Sequence, residues 1–340
     1  MEEPNTRALA RIDALRPPVA LCLSGGGARG AAQAGVVIEL VRSGLRPDFI
    51  VGTSIGAWNG AWLASHPSFE SCEGLADWWA DPEVRNVFKG MWLGYAGAIA
   101  WRRSAALSAE RVEHLLARGL GDMRFEELAI PLTVGAADLL TADLVYFHRG
   151  PVAPAVRASS AIPTVLPPVA LRDRLLVDGG VIDNFGVNEA VRRGARTIVL
   201  VDASTSEVSD PPVGLGEIID RMTLVSQVHQ RRRSLAAAAG AGVPLHLIEV
   251  GTLGASFDFQ RAELAVARGR ELARAWLDGR PLPRVEPPPP EDRQGLVDRW
   301  HVLEERVRGR VSAMPLWRRA GSGADGELTQ AGEPEVGRPG

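Results

Sequence analysis

The sequence predicts an α/β fold built on a largely parallel sheet. Two observations carry that expectation. Apolar runs of strand length end in glycine-rich turns and lead into small-residue helical patterns: residues 19–24 run into Gly25-Gly-Gly-Ala-Arg-Gly30, and Phe49-Ile-Val51 runs into Gly52-Thr-Ser-Ile-Gly56. Repetition of that unit is how a parallel sheet with crossover helices reads in sequence. With 340 residues, 46% of them hydrophobic and 23% charged, the chain is also long and apolar enough for one large core.

The elements follow in order. Residues 1–17 form a charged N-terminal leader with a short helical piece and no apolar signal-peptide core. Residues 19–24 are a buried strand, and 31–43 a helix ended by Gly44. The second strand carries Ser54, and its helix stops at His66-Pro67. Residues 69–125 break the alternation. They are helical in pattern, rich in Trp78, Trp79, Phe88, Trp92, Tyr95 and Trp101, and read as an insertion and lid candidate over the sheet. Strands resume at 131–137 and 143–148, and 156–169 reads as a short helix broken by prolines. Leu175-Leu-Val177 is a strand ending in Asp178-Gly-Gly180, and 197–201 is another ending at Asp202. A helix near 216–239, a strand near 245–250 and a helix from about 257 to 277 complete a domain taken as residues 18–280. Residues 281–290 are a proline-rich spacer. Within 291–319, Leu296, Trp300, Leu303, Val307 and Val311 recur on one helical face. That face suits packing back on the domain, an oligomer contact or a membrane surface. Residues 320–340 have the composition of a disordered tail.

Charge and cysteine usage narrow the function classes. A net charge of −3 makes no electrostatic case for nucleic acid. Cys22 lies in an apolar run and reads as a core residue rather than half of a disulfide, which fits a reducing, cytoplasmic compartment. The longest lipid-like run, 91–101, falls short of the ~20 residues a membrane span requires. Its tryptophans suit either peripheral contact with a membrane or an aromatic core.

Three pieces carry chemistry. Ser54 sits on a sharp strand-to-helix turn flanked by Gly52 and Gly56, with Ile55 opening the helix. Such a turn pushes the hydroxyl out of the backbone, exposed, beside the positive end of a helix. A hydroxyl is a poor nucleophile until a base takes its proton and donors receive the resulting oxyanion. The second piece is the run Gly25, Gly26, Gly27, Ala28, Arg29 and Gly30, whose amides can form a nest for an oxyanion or a phosphate. Gly25-x-Gly27-x-x-Gly30 also matches the dinucleotide fingerprint, but that fold wants an acid at the far end of the second strand, where Thr53-Ser54 stands. The third piece is a base. None of the six histidines sits in a glycine-rich strand-to-loop turn. Asp178 does, followed by Gly179 and Gly180. Partial desolvation there raises a carboxyl's pKa toward that of a useful base, and a carboxylate has no tautomer for a third residue to fix. Asp202 is the runner-up, better read as a cap or loop acceptor.

The order Gly25-Gly-Gly-Ala-Arg-Gly30, Gly52-Thr-Ser-Ile-Gly56, Arg157-Ala-Ser-Ser-Ala-Ile-Pro163 and Asp178-Gly-Gly180 resembles the patatin-like phospholipase family. The resemblance covers about residues 18–250. It implies a three-layer α/β/α fold and lipid acyl hydrolysis by a Ser–Asp dyad, with no metal or cofactor. Ser54 would be nucleophile, Asp178 base, and the 25–30 loop the oxyanion hole, positioned with help from Arg29. The family often has Asn-x-Pro after Asp-Gly-Gly; here Asn184-Phe185-Gly186 stands instead. The expected substrate is a phospholipid, lysophospholipid or simpler acyl ester. Competing readings are a nucleotide- or phosphate-binding protein using Gly25–Gly30, a non-catalytic interaction protein on the same fold, and an acyltransferase using the same acyl-enzyme.

Overall fold

The computed structural model describes residues 6–87, 105, 107–204, 215–251 and 259–282. The apolar stretch 91–101, most of the proline-rich spacer, the 291–319 face and the 320–340 tail lie outside the described residues.

The chain opens with α1 (Thr6–Asp13), β1 (Val19–Leu23), α2 (Gly30–Arg42), β2 (Phe49–Thr53) and α3 (Ile55–Ser65). Helices α4 (Phe69–Ala80), α5 (Pro82–Arg85) and α6 (Glu110–Leu120) follow. Then come β3 (Leu132–Asp138), β4 (Leu144–Phe147), α7 (Val152–Ser159), β5 (Val169–Leu171) and β6 (Arg174–Asp178). The described chain ends with α8 (Val187–Arg192), β7 (Thr197–Asp202), α9 (Leu215–Gly240), β8 (Leu245–Glu249) and α10 (Ala262–Leu277). One helix differs from expectation. It occupies 152–159 rather than 156–169, because Pro151 suits its N-cap and Pro163, Pro167 and Pro168 exclude helix beyond it.

The strands form one sheet in the order β5-β6-β3-β2-β1-β7-β8, with β4 also on β3. The centre is parallel, β3-β2-β1-β7-β8, whereas β4, β5 and β6 pair antiparallel. Alternate residues feed opposite faces, as strand geometry demands. Leu21, Leu23, Val199 and Val201 join a core with α2, α3, α4, α6 and α10; Ala20, Cys22, Ile198 and Leu200 join one with α8 and Ala238 of α9. These two cores make three layers. Cys22 and Cys72 are both free and buried.

Strand β3 decides where the site lies. Gly135 stands opposite Tyr146 of β4 and Thr53 of β2. Its neighbour Ala136 stands opposite Val145 of β4 and Asp178 of β6. Strands β2 and β6 therefore share one edge of β3. They run toward each other and end at adjacent β3 residues.

The helical piece in the leader is anchored. Ala8 is buried, and the Arg11 guanidinium lies 4.4 Å from the Trp276 ring centroid on α10. Trp78 and Trp79 of α4 are core residues: Trp78 packs on Trp58 with centroids 4.8 Å apart, and Trp79 stacks on Phe259 at 5.7 Å. Among the described residues no helix is long and apolar enough to cross a membrane.

Helices α2 and α10 cross at two glycines. A Cβ on Gly35 would sit 2.0 Å from the Val266 carbonyl oxygen, and one on Gly269 would sit 1.9 Å from that of Ala32. Helix propensity favours alanine over glycine by about 1 kcal/mol, so the close approach must outweigh that preference. Gly269→Ala is expected to destabilise the protein by about 1–3 kcal/mol in denaturant titration. Leu264→Ala, on the exposed side of the same helix, should stay within about 0.5 kcal/mol of wild type. A wild-type midpoint for Gly269→Ala would show that the crossing is not close-packed.

Candidate active site

Strand β2 ends at Thr53 and delivers Ser54 to the N-cap of α3 with φ 55° and ψ −124°. A serine held in that region costs about 1–3 kcal/mol, so the surroundings must impose it. They do so from below: the Ser54 amide donates to Ser159 Oγ at 2.8 Å, and that hydroxyl donates to the Gly135 carbonyl at 2.6 Å. Ser159 belongs to the Arg157–Pro163 segment, which therefore props the serine turn. The +2 glycine is required by space, since a Cβ on Gly56 would lie 2.1 Å from the Leu23 carbonyl oxygen. The expected exposure of Ser54 is not observed: it is only 5% exposed. Gly25 lies against its Cβ.

Asp178 ends β6, and its amide donates to the Ala161 carbonyl at 3.0 Å. Its carboxylate accepts from the Gly180 amide at 2.8 Å, and the Ser54 hydroxyl is a second donor near it. Burial pushes the carboxyl up to about 6, while those two donors pull it partly back. The ends of β2 and β6 thus bring the two residues close together.

The glycine loop completes the cluster. Gly27 has φ 60°, which favours glycine. The Asn184 side chain clamps Gly25 twice: the Gly25 amide donates to Oδ1 at 3.1 Å, and Nδ2 donates to the Gly25 carbonyl at 3.2 Å. Arg29 Nε donates to the Ala203 carbonyl at 2.6 Å, tying the loop to the end of β7. The Arg29 amide turns back on Gly26, and the Gly30 amide on Ala28 and Gly27. These bonds engage the amides of 25, 29 and 30, leaving Gly26, Gly27 and Ala28 as the loop's candidate donors. Beneath it, Asn59 Nδ2 donates to the Gly30 carbonyl at 2.9 Å, and Gln33 Nε2 to that of Ser24 at 3.1 Å.

Asp202 is elsewhere engaged. Its carboxylate accepts Ser24 Oγ, the Ser204 amide and the Arg231 guanidinium, the last at 2.6 Å. It acts as the loop acceptor expected of it. Among the described histidines, His66 bonds Ser65, His114 faces Glu83 and His246 packs edge-on against Trp276; His301 lies outside the described residues.

Two residues of this site escaped the sequence reading. Asn184 stands where the family pattern has its asparagine, so the signal was present. Two positions on, Gly186 has φ 66°, which proline cannot adopt, and this accounts for the departure from Asn-x-Pro. Gln230 on α9 had no local signal. Its Oε1 accepts the Asn184 amide at 2.8 Å, and its Nε2 donates to the Gly180 carbonyl at 3.0 Å, so it holds the turn after Asp178.

Because Asp178 is harder to ionise folded than free, its ionisation opposes folding. The penalty is absent below about pH 4, grows as pH rises and is complete above about pH 6, at roughly 3 kcal/mol. Asp178→Asn is therefore expected to melt above wild type at pH 8, the gain vanishing near pH 4. Equal melting temperatures at pH 8 would contradict a strained carboxylate.

A family model described as Patatin, patatin-like phospholipase, matches residues 21–191 and so includes all four motif segments. An uncharacterized NTE family protein of Mycobacterium tuberculosis (strain ATCC 25618 / H37Rv) is 33% identical over 204 residues, 60% of this chain and 54% of that one. Lysophospholipase NTE1 of Candida albicans (strain SC5314 / ATCC MYA-2876) is 28% identical over 57% of this chain and 14% of its own length. The chain thus spans about half the length of the mycobacterial relative and a smaller share of the fungal one. The crystal structure of VipD from Legionella pneumophila covers 78% of this chain and 68% of its own at 14% identity and a TM-score of 0.43, too distant to carry detail. With half of its length matched by the family model, the chain belongs to the patatin-like phospholipase family.

Proposed function

We propose that the protein is a serine lipid acyl hydrolase working through a Ser54–Asp178 dyad, with residues 18–280 as its hydrolase domain. The observation that carries this reading is the convergence of the Ser54 and Asp178 turns on adjacent residues of β3, with the Asp178 carboxyl raised by burial to about 6. A base near neutral pH combines a usable ionised fraction with proton affinity. The Candida albicans relative is named a lysophospholipase, which supports a lysophospholipid, phospholipid or simpler acyl ester as substrate.

The reaction runs in two halves. Asp178 takes the Ser54 proton as Oγ attacks the ester carbonyl, and a tetrahedral oxyanion forms. The amides of Gly26 and Gly27, with Ala28 beside them, receive its charge, aided by the N-terminus of α3. The C–O bond to the alcohol breaks, and the alcohol leaves with the proton from Asp178. Water then attacks the acyl-enzyme, Asp178 accepts its proton and returns it to Ser54, and the fatty acid departs. Asn184 acts by position: it fixes Gly25, so the next amides face the serine.

Hydrolysis of a lysophospholipid and of a short-chain ester by purified protein tests this. Ser54→Ala should lower kcat by about 1,000-fold or more, and Asp178→Asn by about 100- to 10,000-fold. For wild type, kcat/KM should fall about tenfold per pH unit below about 6 and level off above it, since only ionised Asp178 accepts the proton. Unchanged turnover by Ser54→Ala would refute the mechanism. An acid limb near pH 4 would remove Asp178 as the base.

A further inference from the structure

The turn that follows Asp178 does not end in the protein interior. Val181 and Ile182 are 51% and 38% exposed, and across a cleft of about 620 Å³ stand Met222 and Val225 of α9, 67% and 60% exposed. Large aliphatic side chains left this open, next to one another and beside a candidate active site, call for a partner. Positions 222, 225, 229 and 233 recur on one face of α9, and the last two bring His229 and Arg233 to the cleft. No carboxylate stands among the described residues lining the cleft. The face thus combines aliphatic and basic side chains, although the whole chain is net acidic at −3. Gln230, on the same helix, holds the Gly180 and Val181 carbonyls, so this face is joined to the turn carrying Asp178.

We infer that the face formed by Val181, Ile182 and the Met222–Arg233 side of α9 docks the protein on an anionic lipid surface. The inference rests on the acyl-hydrolase reading and adds where the lipid meets the chain. Aliphatic side chains enter the headgroup–acyl boundary, and the guanidinium meets lipid phosphates. Docking here sets the Asp178 turn against the surface that holds the ester, which shortens the path of a lipid to Ser54.

The test uses the full chain carrying Ser54→Ala, which binds lipid without consuming it. Sedimentation with vesicles of phosphatidylcholine alone, or mixed with phosphatidylglycerol, reads the bound fraction. Binding is expected to be strong only on the mixed vesicles and to weaken with added salt. Adding Met222→Asp and Val225→Asp should reduce it about tenfold or more, and Arg233→Glu severalfold. Both positions are exposed, so thermal melts should match the parent and exclude misfolding. Equal binding to both vesicle types, binding retained by the Asp variant, or a dimer in solution that the Asp variant dissolves would overturn the inference. Vesicle binding without ester hydrolysis by wild type would sink the dyad alone. Hydrolysis of a short-chain ester without vesicle binding would sink the docking face alone.

Discussion

The arrangement depends on how β3 is shared. Its Gly135 pairs with Thr53 and its Ala136 with Asp178, from strands that approach along one edge in opposite directions. Two chain ends meeting there leave no room for further ladder, so each must turn out of the sheet. One turn carries Ser54 and the other Asp178, and the two residues lie close because their strands stop at neighbouring β3 residues. The third partner on that edge is the Gly135 carbonyl, which takes the Ser159 hydroxyl that supports the Ser54 amide. A one-residue slip of β6 along β3 would turn the Asp178 side chain to the other face.

Beneath the glycine loop the interior is polar, and a chain of buried side chains pairs there. Trp79 donates to Asn59, Asn59 to Gly30 and Gln33, and Gln33 to the Ser24 and Val201 carbonyls. Each group is buried, and an unmet partner would cost about 1–3 kcal/mol. The network fixes the glycine loop from beneath while Asn184 fixes it from above. Against this support stand a serine in a strained conformation and a carboxylate denied water. Strain and a buried carboxyl at one point persist only because the neighbours over-determine them.

The sequence is most legible where its motifs are compressed into short stretches. The glycine loop, the Ser54 turn and Asp178-Gly-Gly180 each announce themselves within six residues, and the strand–turn–helix units around them fix the parallel centre. It could not find relations between distant segments. Nothing local says that β6 is antiparallel and butts against β2, or that three residues, Val169–Leu171, suffice for β5. The burial of Ser54 depends on Gly25 and Asp178 closing over it, so the turn motif alone suggested exposure. Gln230 lies in the middle of a long helix and looks like any surface glutamine; only the fold brings it to Asn184. Trp78 and Trp79 could have faced lipid by composition, yet ring packing and the Asn59 bond place them in the core.

The central claim is that Ser54 is activated by Asp178. Labelling with a fluorophosphonate, followed by peptide mapping, measures this without choosing a substrate. The expected result is one phosphonylated residue, Ser54, labelled faster as pH rises through about 6 and scarcely at all in Asp178→Asn. Label on another residue, or a rate at Ser54 indifferent to Asp178, would contradict the account.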